Sequence, residues 1–161
     1  MLKNWIADEK VQLMYGEPVY QTKEAIKELL DKYIGAYEKN ECYRWAIIEK
    51  KSGECIGQAA YFLVDSRNHF AEIEYCIGTA FQRKGYATEA TREVIAYGFE
   101  KIGLHKVQIC VRPENAPSRR VIEKCGFTYE GTLRDYFFMS SGYSDRMYFS
   151  MLQSEYIKSG K

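Results

Sequence analysis

The middle of the chain passes from a strand-like pattern to a helix-like pattern and back, and this order constrains the fold more than any other feature. Residues 71–77 and 106–112 alternate apolar and polar side chains with the period of two that is typical of β-strands. Between them, residues 85–101 carry small and apolar side chains at helical spacing. This order predicts two parallel neighbouring strands joined by a right-handed crossover.

The segment before the crossover predicts a helix and a hairpin. Apolar residues over Lys23–Glu38 recur at the spacing of an amphipathic helix, and Thr22 is in place to cap it. Residues 43–49 and 54–64 then read as two strands joined by a Lys-Lys-Ser-Gly turn.

The segment after the crossover predicts a short helix and a second hairpin. Residues 115–125 form the helix, with Gly126 as its stop signal. Residues 127–138 and 146–152 form the hairpin, around a turn at Ser140-Ser141-Gly142. The whole pattern predicts one α/β domain over residues 1–161, with a mixed, mostly antiparallel sheet of about six strands.

Charge and hydropathy exclude two classes of partner. The net charge is +1 and the basic residues are dispersed, so no basic field recruits nucleic acid or an anionic membrane surface. No apolar run approaches the roughly 20 residues that span a bilayer. We therefore expect a cytoplasmic protein that binds neither nucleic acid nor a membrane.

The cysteines and histidines predict a reduced protein without a metal. The five cysteines form no Cys-x-x-Cys pair, which favours free thiols in a reducing compartment. His69 and His105 have no cysteine or histidine at ligand spacing.

One tract, residues 82–90, lies between a predicted strand and the long helix and carries the clearest chemical signal. The start of a helix presents unpaired N–H groups and a partial positive charge, which favour an anion. Gly85 permits a close approach or a positive φ, Ala87 leaves the amides uncovered, and Arg83 and Lys84 add positive charge. Alone, the tract fits either a tight strand-to-helix turn or a pyrophosphate site.

The surrounding sequence favours the anion site. Gln82-x-x-Gly85-x-Ala87, followed by Thr88-Glu89-Ala90, resembles the acetyl-CoA signature of the GNAT N-acetyltransferases. A second stretch, residues 112–118 followed by 121–127 and Glu130-Gly131, resembles the other half of that family's core. The resemblance covers roughly residues 43–156 and is strongest to the RimJ/RimL-type branch, which acetylates protein N-termini.

The resemblance implies acetyl-CoA as the co-substrate. Backbone amides of residues 83–88 would hold the pyrophosphate, and the pantetheine arm would enter a gap between splayed strands 72–77 and 106–112. A backbone amide near the end of the first strand would form the oxyanion hole. Asn115 would bond a pantetheine amide, and Lys124 would meet a phosphate. The implied cofactor-binding residues are Tyr75, Cys76, Ile77, Gln82, Arg83, Lys84, Gly85, Tyr86, Ala87, Thr88, Asn115, Ser118 and Lys124.

The resemblance also implies catalytic groups. Glu72 stands where this branch carries a carboxylate that accepts the amine proton through water, and it is expected to face an open cleft. Glu74 lies on the same strand face and would compete for that role or bind a cationic acceptor. Either carboxylate is alternatively a solvated strand residue. Many members have a tyrosine acid where this chain has Ile122, so Ser118 is expected to protonate the thiolate unless it serves only as a helix cap.

Transfer of acetyl to a primary amine is the predicted activity, with the α-amine of a peptide or amino-acid-like compound as the preferred acceptor. A spermidine or polyamine acetyltransferase and an inert acyl-CoA sensor are the alternatives, and the sequence leaves a homodimer open. Family members usually begin with a strand and helix ahead of a segment like residues 5–8. We therefore expect the first strand and much of the first helix to be missing here.

Overall fold

A single sheet organises the computed structural model, which describes residues 2–39, 42–139 and 142–158. Its strands, numbered along the chain, are β1 (Tyr43–Ile48), β2 (Cys55–Asp65), β3 (Phe70–Ile77), β4 (Lys106–Val111), β5 (Thr128–Met139) and β6 (Gly142–Leu152). In space they follow the order β1-β2-β3-β4-β6-β5. Among these described strands, only β3 and β4 pair in parallel. The predicted mixed sheet with a parallel crossover at its centre is confirmed.

The helices, numbered in the same way, are α1 (Glu9–Tyr15), α2 (Lys23–Glu38), α3 (Tyr86–Tyr97), α4 (Ala116–Cys125) and α5 (Gln153–Lys158). α2 has its predicted bounds, and the Thr22 hydroxyl accepts a hydrogen bond from the backbone N–H of Ala25 at 3.2 Å. The predicted helix 85–101 is α3 followed by a π-helical turn, Gly98–Ile102. The sequence missed α1 and α5 because seven and six residues are too few to display a helical period. Among the described helices, none has the length and apolar character needed to cross a bilayer.

The final hairpin is longer than predicted. β6 begins at Gly142, ahead of the predicted start at residue 146, and two irregularities in its register with β5 separate the paired segments. Ser140 and Ser141, which we expected in the connecting turn, lie outside the described residues.

Each face of the sheet is buried by a different pair of helices. Under α3 and α4 lies the main apolar core, whose least exposed side chains include Tyr61, Ala71, Ile73, Val107 and Ile109. Under α1 and α2 lies a smaller cluster that contains Trp5, Ile6, Val11, Ile26, Leu29 and Cys76. Because side chains alternate along a strand, successive β3 residues enter these two environments in turn.

The two parallel strands pair over only part of their length. The β3–β4 register runs from Phe70 opposite Lys106 to Ile73 opposite Ile109. β3 then continues to Ile77 while pairing with β2 on its other side. Residues 74–77 therefore form one wall of a gap, and the end of β4 with the start of α4 forms the other. This is the splay that we expected.

Candidate active site

The loop before α3 has the backbone geometry of an anion-binding turn. Arg83 and Gly85 both have positive φ values, 63° and 89°. The first backbone hydrogen bond of α3 runs from Glu89 N to Gly85 O at 3.0 Å, so the amides of residues 86–88 have no partner within the helix. The side chains of Arg83 and Lys84 are exposed. The loop thus gathers unpaired N–H groups and two cations, as a phosphate group requires.

Gln82 and Tyr86 hold this loop against the sheet. Gln82 Nε2 donates to the carbonyl oxygen of Ile77 at 2.9 Å. The Tyr86 hydroxyl donates to Glu49 Oε1 at 2.6 Å, and the hydroxyls of Ser52 and Tyr86 lower the pKa of Glu49. These contacts fix the loop, and a direct contact of either residue with the cofactor stays a prediction.

The wall of the gap formed by β3 presents backbone amides that have no partner in β2. Gly78 N donates to Ile56 O at 2.9 Å, while Ile77 lies opposite Gly57. In an antiparallel ladder this pattern makes the 77–57 pair non-hydrogen-bonded, so the backbone groups of Ile77 point away from β2. By alternation those of Tyr75 do the same. The amides of these two residues thus face the gap, where a pantetheine arm and a thioester carbonyl would need donors.

Cys76 differs from its two neighbours. The same alternation directs its backbone groups to Gln58 of β2. Its side chain is 6% exposed and packs in the cluster under α1 and α2, and burial raises the pKa of the thiol to about 12. This arrangement argues against a direct bond between Cys76 and the cofactor.

The other wall of the gap is the start of α4. Asn115 Oδ1 caps this helix by accepting from Ser118 N at 3.2 Å, which leaves the amide nitrogen as the group that would meet a pantetheine carbonyl. Lys124 is exposed on the last turn, and its carbonyl oxygen accepts from Arg92 of α3 at 3.0 Å. Ile122 is fully buried in the main core and lies outside the gap.

A hydroxyl pair bridges the two walls. The hydroxyl of Tyr75, on β3, lies 2.9 Å from the Oγ of Ser118, on the first turn of α4. Burial raises the pKa of Tyr75 to about 12. The sequence singled out Ser118 as an acid and Tyr75 only as part of the cofactor-binding strand, so this contact was not predicted.

Glu72, the predicted base, is enclosed by polar and aromatic side chains. It is 1% exposed and forms an ion pair with Arg146. Its Oε2 accepts from Gln108 Nε2 at 3.1 Å. The guanidinium of Arg146 lies 4.6 and 4.4 Å from the ring centroids of Tyr136 and Tyr148. The expectation that Glu72 faces an open cleft is therefore wrong.

Glu74 occupies a more accessible position two residues along β3. Its side chain is 22% exposed and pairs with Arg44 Nη2 at 2.5 Å. The guanidinium of Arg44 in turn lies over the Tyr33 ring, 4.0 Å from its centroid. Burial and the charge of Glu74 raise the pKa of Tyr15, so this hydroxyl stays protonated, and Gln58 Nε2 donates to it at 3.1 Å. Glu74 thus lies among hydrogen-bond donors and is still reachable.

Neither arginine partner, Arg44 nor Arg146, was predicted from the sequence. The available signal was an arginine inside a predicted strand, in Tyr-Arg-Trp-Ala for Arg44 and beside Asp145 in Asp-Arg-Met-Tyr for Arg146. The partner of each depends on strand order and register, which the sequence pattern left open. The two carboxylates and two guanidiniums, Glu72, Glu74, Arg44 and Arg146, form what we call the charged cluster. Its formal charges balance.

These features define a class of enzyme. A sheet that splits between two parallel strands lies beside an amide-rich loop that opens the crossover helix, and the family profile described as Acetyltransferase (GNAT) domain matches residues 1–128. The chain belongs to the GNAT acetyltransferase family. It is an acetyl-CoA-dependent N-acetyltransferase.

The chain is also similar to individual acetyltransferases and to solved structures. The uncharacterised N-acetyltransferase p20 of Bacillus licheniformis is 34% identical over 155 residues, covering 94% of this chain and 85% of that protein. A putative ribosomal N-acetyltransferase of Bacillus subtilis, YdaF, is 38% identical over 104 residues, 65% of this chain and 57% of its own length. The structure of spermidine N-acetyltransferase from Vibrio cholerae in complex with CoA and spermine has a TM-score of 0.83 at 26% identity, covering 94% of this chain and 88% of that one.

The residues present fit acetyl-CoA, which supplies the acetyl group as a thioester. The loop at residues 83–88 offers unpaired amides and cations for phosphates, and the gap offers the backbone amides of Tyr75 and Ile77. Over the described ranges, the structure holds no group of three or more histidine, cysteine, aspartate or glutamate side chains that could bind a metal ion.

Proposed function

We propose that this acetyltransferase modifies a primary α-amine, carried by a peptide or protein N-terminus or by an amino-acid-like small molecule. The balance of the charged cluster is the observation that carries this proposal. Glu72 and Glu74 each already have a guanidinium partner, and Glu17, which interacts with Glu74, has Lys32 and Arg44 nearby, so these groups hold no excess negative charge to attract a polycation. An acceptor with a single amine needs no such excess.

The energy of deprotonation supports the same acceptor. An α-amine has a pKa of about 7.7–8.0, so freeing its lone pair near pH 7 costs about 1–1.4 kcal/mol. A lysine-like amine with a pKa of about 10.4 costs roughly 4.6 kcal/mol. A carboxylate that is already engaged by an arginine partner suits the smaller of these two costs.

We infer from side-chain exposure which glutamate accepts the amine proton. The sequence favoured Glu72, but a base must reach the acceptor directly or through water, and Glu72 is enclosed. Glu74 keeps 22% of its side chain exposed and is the first β3 residue beyond the last pair with β4. We therefore place proton acceptance at Glu74 and assign to Glu72 the task of holding Arg146 and the β3–β6 region in place.

The cofactor-side roles follow from the two walls. The amides of residues 83–88 would hold the pyrophosphate, and the Lys124 side chain would contact a further phosphate of the cofactor. The amide of Tyr75 or Ile77 would polarise the thioester carbonyl. Asn115 would bond the pantetheine arm, and the hydroxyl of Ser118 would serve the departing sulfur.

A polyamine acceptor is the second candidate, because relatives include the spermidine N(1)-acetyltransferase of Vibrio cholerae, 28% identical over 152 residues. An assay of thiol release over a panel of amines, run beside a titration of CoA binding, separates the candidates. We expect turnover with α-amines. Turnover with spermidine alone would support the second candidate, and binding without any turnover would point to an acyl-CoA sensor.

A further inference from the structure

One hydrogen bond crosses the gap between β3 and α4. Tyr75 belongs to the part of β3 that has separated from β4, and Ser118 belongs to the helix that follows β4. Their hydroxyl oxygens are 2.9 Å apart. A pantetheine arm lying in this gap would therefore pass beside the pair.

Both partners are held in place independently of each other. Tyr75 packs against the main core on the side of α3 and α4, opposite to the face that carries Glu74. The backbone of Ser118 is fixed through its N–H, which donates to Asn115 Oδ1 at 3.2 Å. A rigid hydroxyl pair of this kind can set the direction of one hydrogen atom.

We propose that Tyr75 is a positioning residue for the sulfur of CoA: its hydroxyl donates to Ser118 Oγ, which directs the hydrogen of the Ser118 hydroxyl at the sulfur. This proposal rests on the placement of Ser118 beside the sulfur given above. In the transfer, the amine nitrogen bonds the acetyl carbon, the C–S bond breaks, and the nitrogen releases a proton that Glu74 accepts. The electron pair of that bond stays on sulfur, where the Ser118 O–H stabilises the negative charge until solvent supplies a proton.

Tyr75 itself keeps its proton throughout. Burial raises the pKa of Tyr75 to about 12, well above the ordinary thiol value of about 8.5. Transfer from tyrosine to thiolate would therefore be uphill, whereas donation of a hydrogen bond persists at any pH well below the pKa of Tyr75. A hydroxyl pair that served only to tie β3 to α4 would affect the stability of the protein. It would leave the binding of the CoA sulfur and the pKa of its thiol unchanged.

Equilibrium binding distinguishes these two roles without any acceptor. Affinities of the wild type and of Tyr75→Phe are measured by calorimetry for CoA and for the analogue in which hydrogen replaces the thiol group. The wild type should prefer CoA, and Tyr75→Phe should lose roughly 2- to 10-fold of this preference, the range of one hydrogen bond. Its affinity for the analogue should not change. The ultraviolet absorbance of the thiolate should show a lower thiol pKa for CoA bound to the wild type than for CoA bound to the variant.

Two further variants keep the test decisive. Tyr61→Phe removes a buried hydroxyl that donates to Val94 O at 2.8 Å, away from the gap, and should lower stability while leaving the preference for CoA intact. Ser118→Ala should reproduce the loss seen with Tyr75→Phe, and the double variant should lose no more than either. An unchanged preference and an unchanged thiol pKa in Tyr75→Phe or in Ser118→Ala would overturn the proposal. Because no acceptor is present, this outcome is independent of whether α-amines are the substrates.

Discussion

Two glutamates on the same strand, two residues apart, form ion pairs in different environments. The Glu72–Arg146 pair is nearly excluded from water, with side-chain exposures of 1% and 10%. The Glu74–Arg44 pair keeps exposures of 22% and 13%. The first lies where β3 still pairs with β4, and the second lies where the strands have separated.

The splay of the sheet is what makes this difference. Within the paired part, Glu72 has Gln108 directly opposite on β4, so its charge is satisfied internally. Glu74 has no paired residue opposite it on β4, and part of its side chain is open to solvent or a substrate. A buried ion pair is costly to break because the remaining charge lacks a partner, and the cost falls where solvent reaches that charge. From this comparison we propose a structural role for Glu72 and a catalytic role for Glu74.

The largest expected effect is on turnover in Glu74→Gln. Removal of a general base lowers kcat by roughly 10²–10⁴-fold. The free energy of unfolding should also fall, because Arg44 is only 13% exposed, but by less than when the more buried Glu72–Arg146 pair is broken. Steady-state kinetics and urea unfolding of the same preparation give both quantities. Unchanged kcat in the folded variant would remove Glu74 from the mechanism.

Glu72→Gln is expected to lower the stability of the protein more than its turnover. The guanidinium of Arg146 loses its buried partner, so the free energy of unfolding should fall by about 3–5 kcal/mol. Urea denaturation measures this loss. The double variant Glu72→Leu with Arg146→Met removes both charges and should recover much of it. If Glu72→Gln is stable and loses turnover selectively, the roles of the two glutamates are reversed.

A smaller effect is expected at the loop before α3. Gly85→Asp places a negative charge beside the pyrophosphate site at a φ of 89°, and should weaken acetyl-CoA binding by at least about 1–2 kcal/mol. Calorimetry measures the affinity. Gly85→Asn is the matched control, since asparagine tolerates positive φ without the charge. Equal affinity for acetyl-CoA in the aspartate variant would contradict the cofactor assignment.

The smallest effect is expected for Ser118→Ala. Water can replace a hydroxyl that serves a thiolate whose thiol pKa is near 8.5, so kcat should fall less than in Glu74→Gln. The cap of α4 comes from Asn115, so the helix should persist, but the melting temperature should fall modestly because the buried Tyr75 hydroxyl loses its partner. A loss of kcat as large as that of the glutamate variant would make Ser118 an essential acid.

Most of the fold could be predicted from the sequence, because the apolar repeats of its strands and helices and the residues that cap its helices are local features. Thr22 before α2 and Gly126 after α4 lie where capping chemistry requires them. α1 is capped by Asp8 and ends at Gly16, but its seven residues show no repeat. Such a helix is visible only once the sheet supplies the surface on which Val11 is buried.

The site followed only in part. The loop at Gly85 was predictable, since a helix start with glycine and two cations has a local signature. The burial of Glu72 was not, because it depends on Arg146, 74 positions away in the chain. The Tyr75–Ser118 contact depends likewise on where the strands separate. Alternation placed both glutamates on one face, but it carried no information on which of them remains accessible.

The acceptor preference is the central claim, and one comparison of kcat/KM at saturating acetyl-CoA tests it most directly. The acceptors are short peptides with free N-termini, the same peptides with blocked N-termini and a lysine, and spermidine. A balanced charged cluster and an arginine-paired base predict the highest kcat/KM for the free N-termini. Faster turnover of the blocked lysine peptide or of spermidine would contradict this preference, although the acetyltransferase assignment would stand.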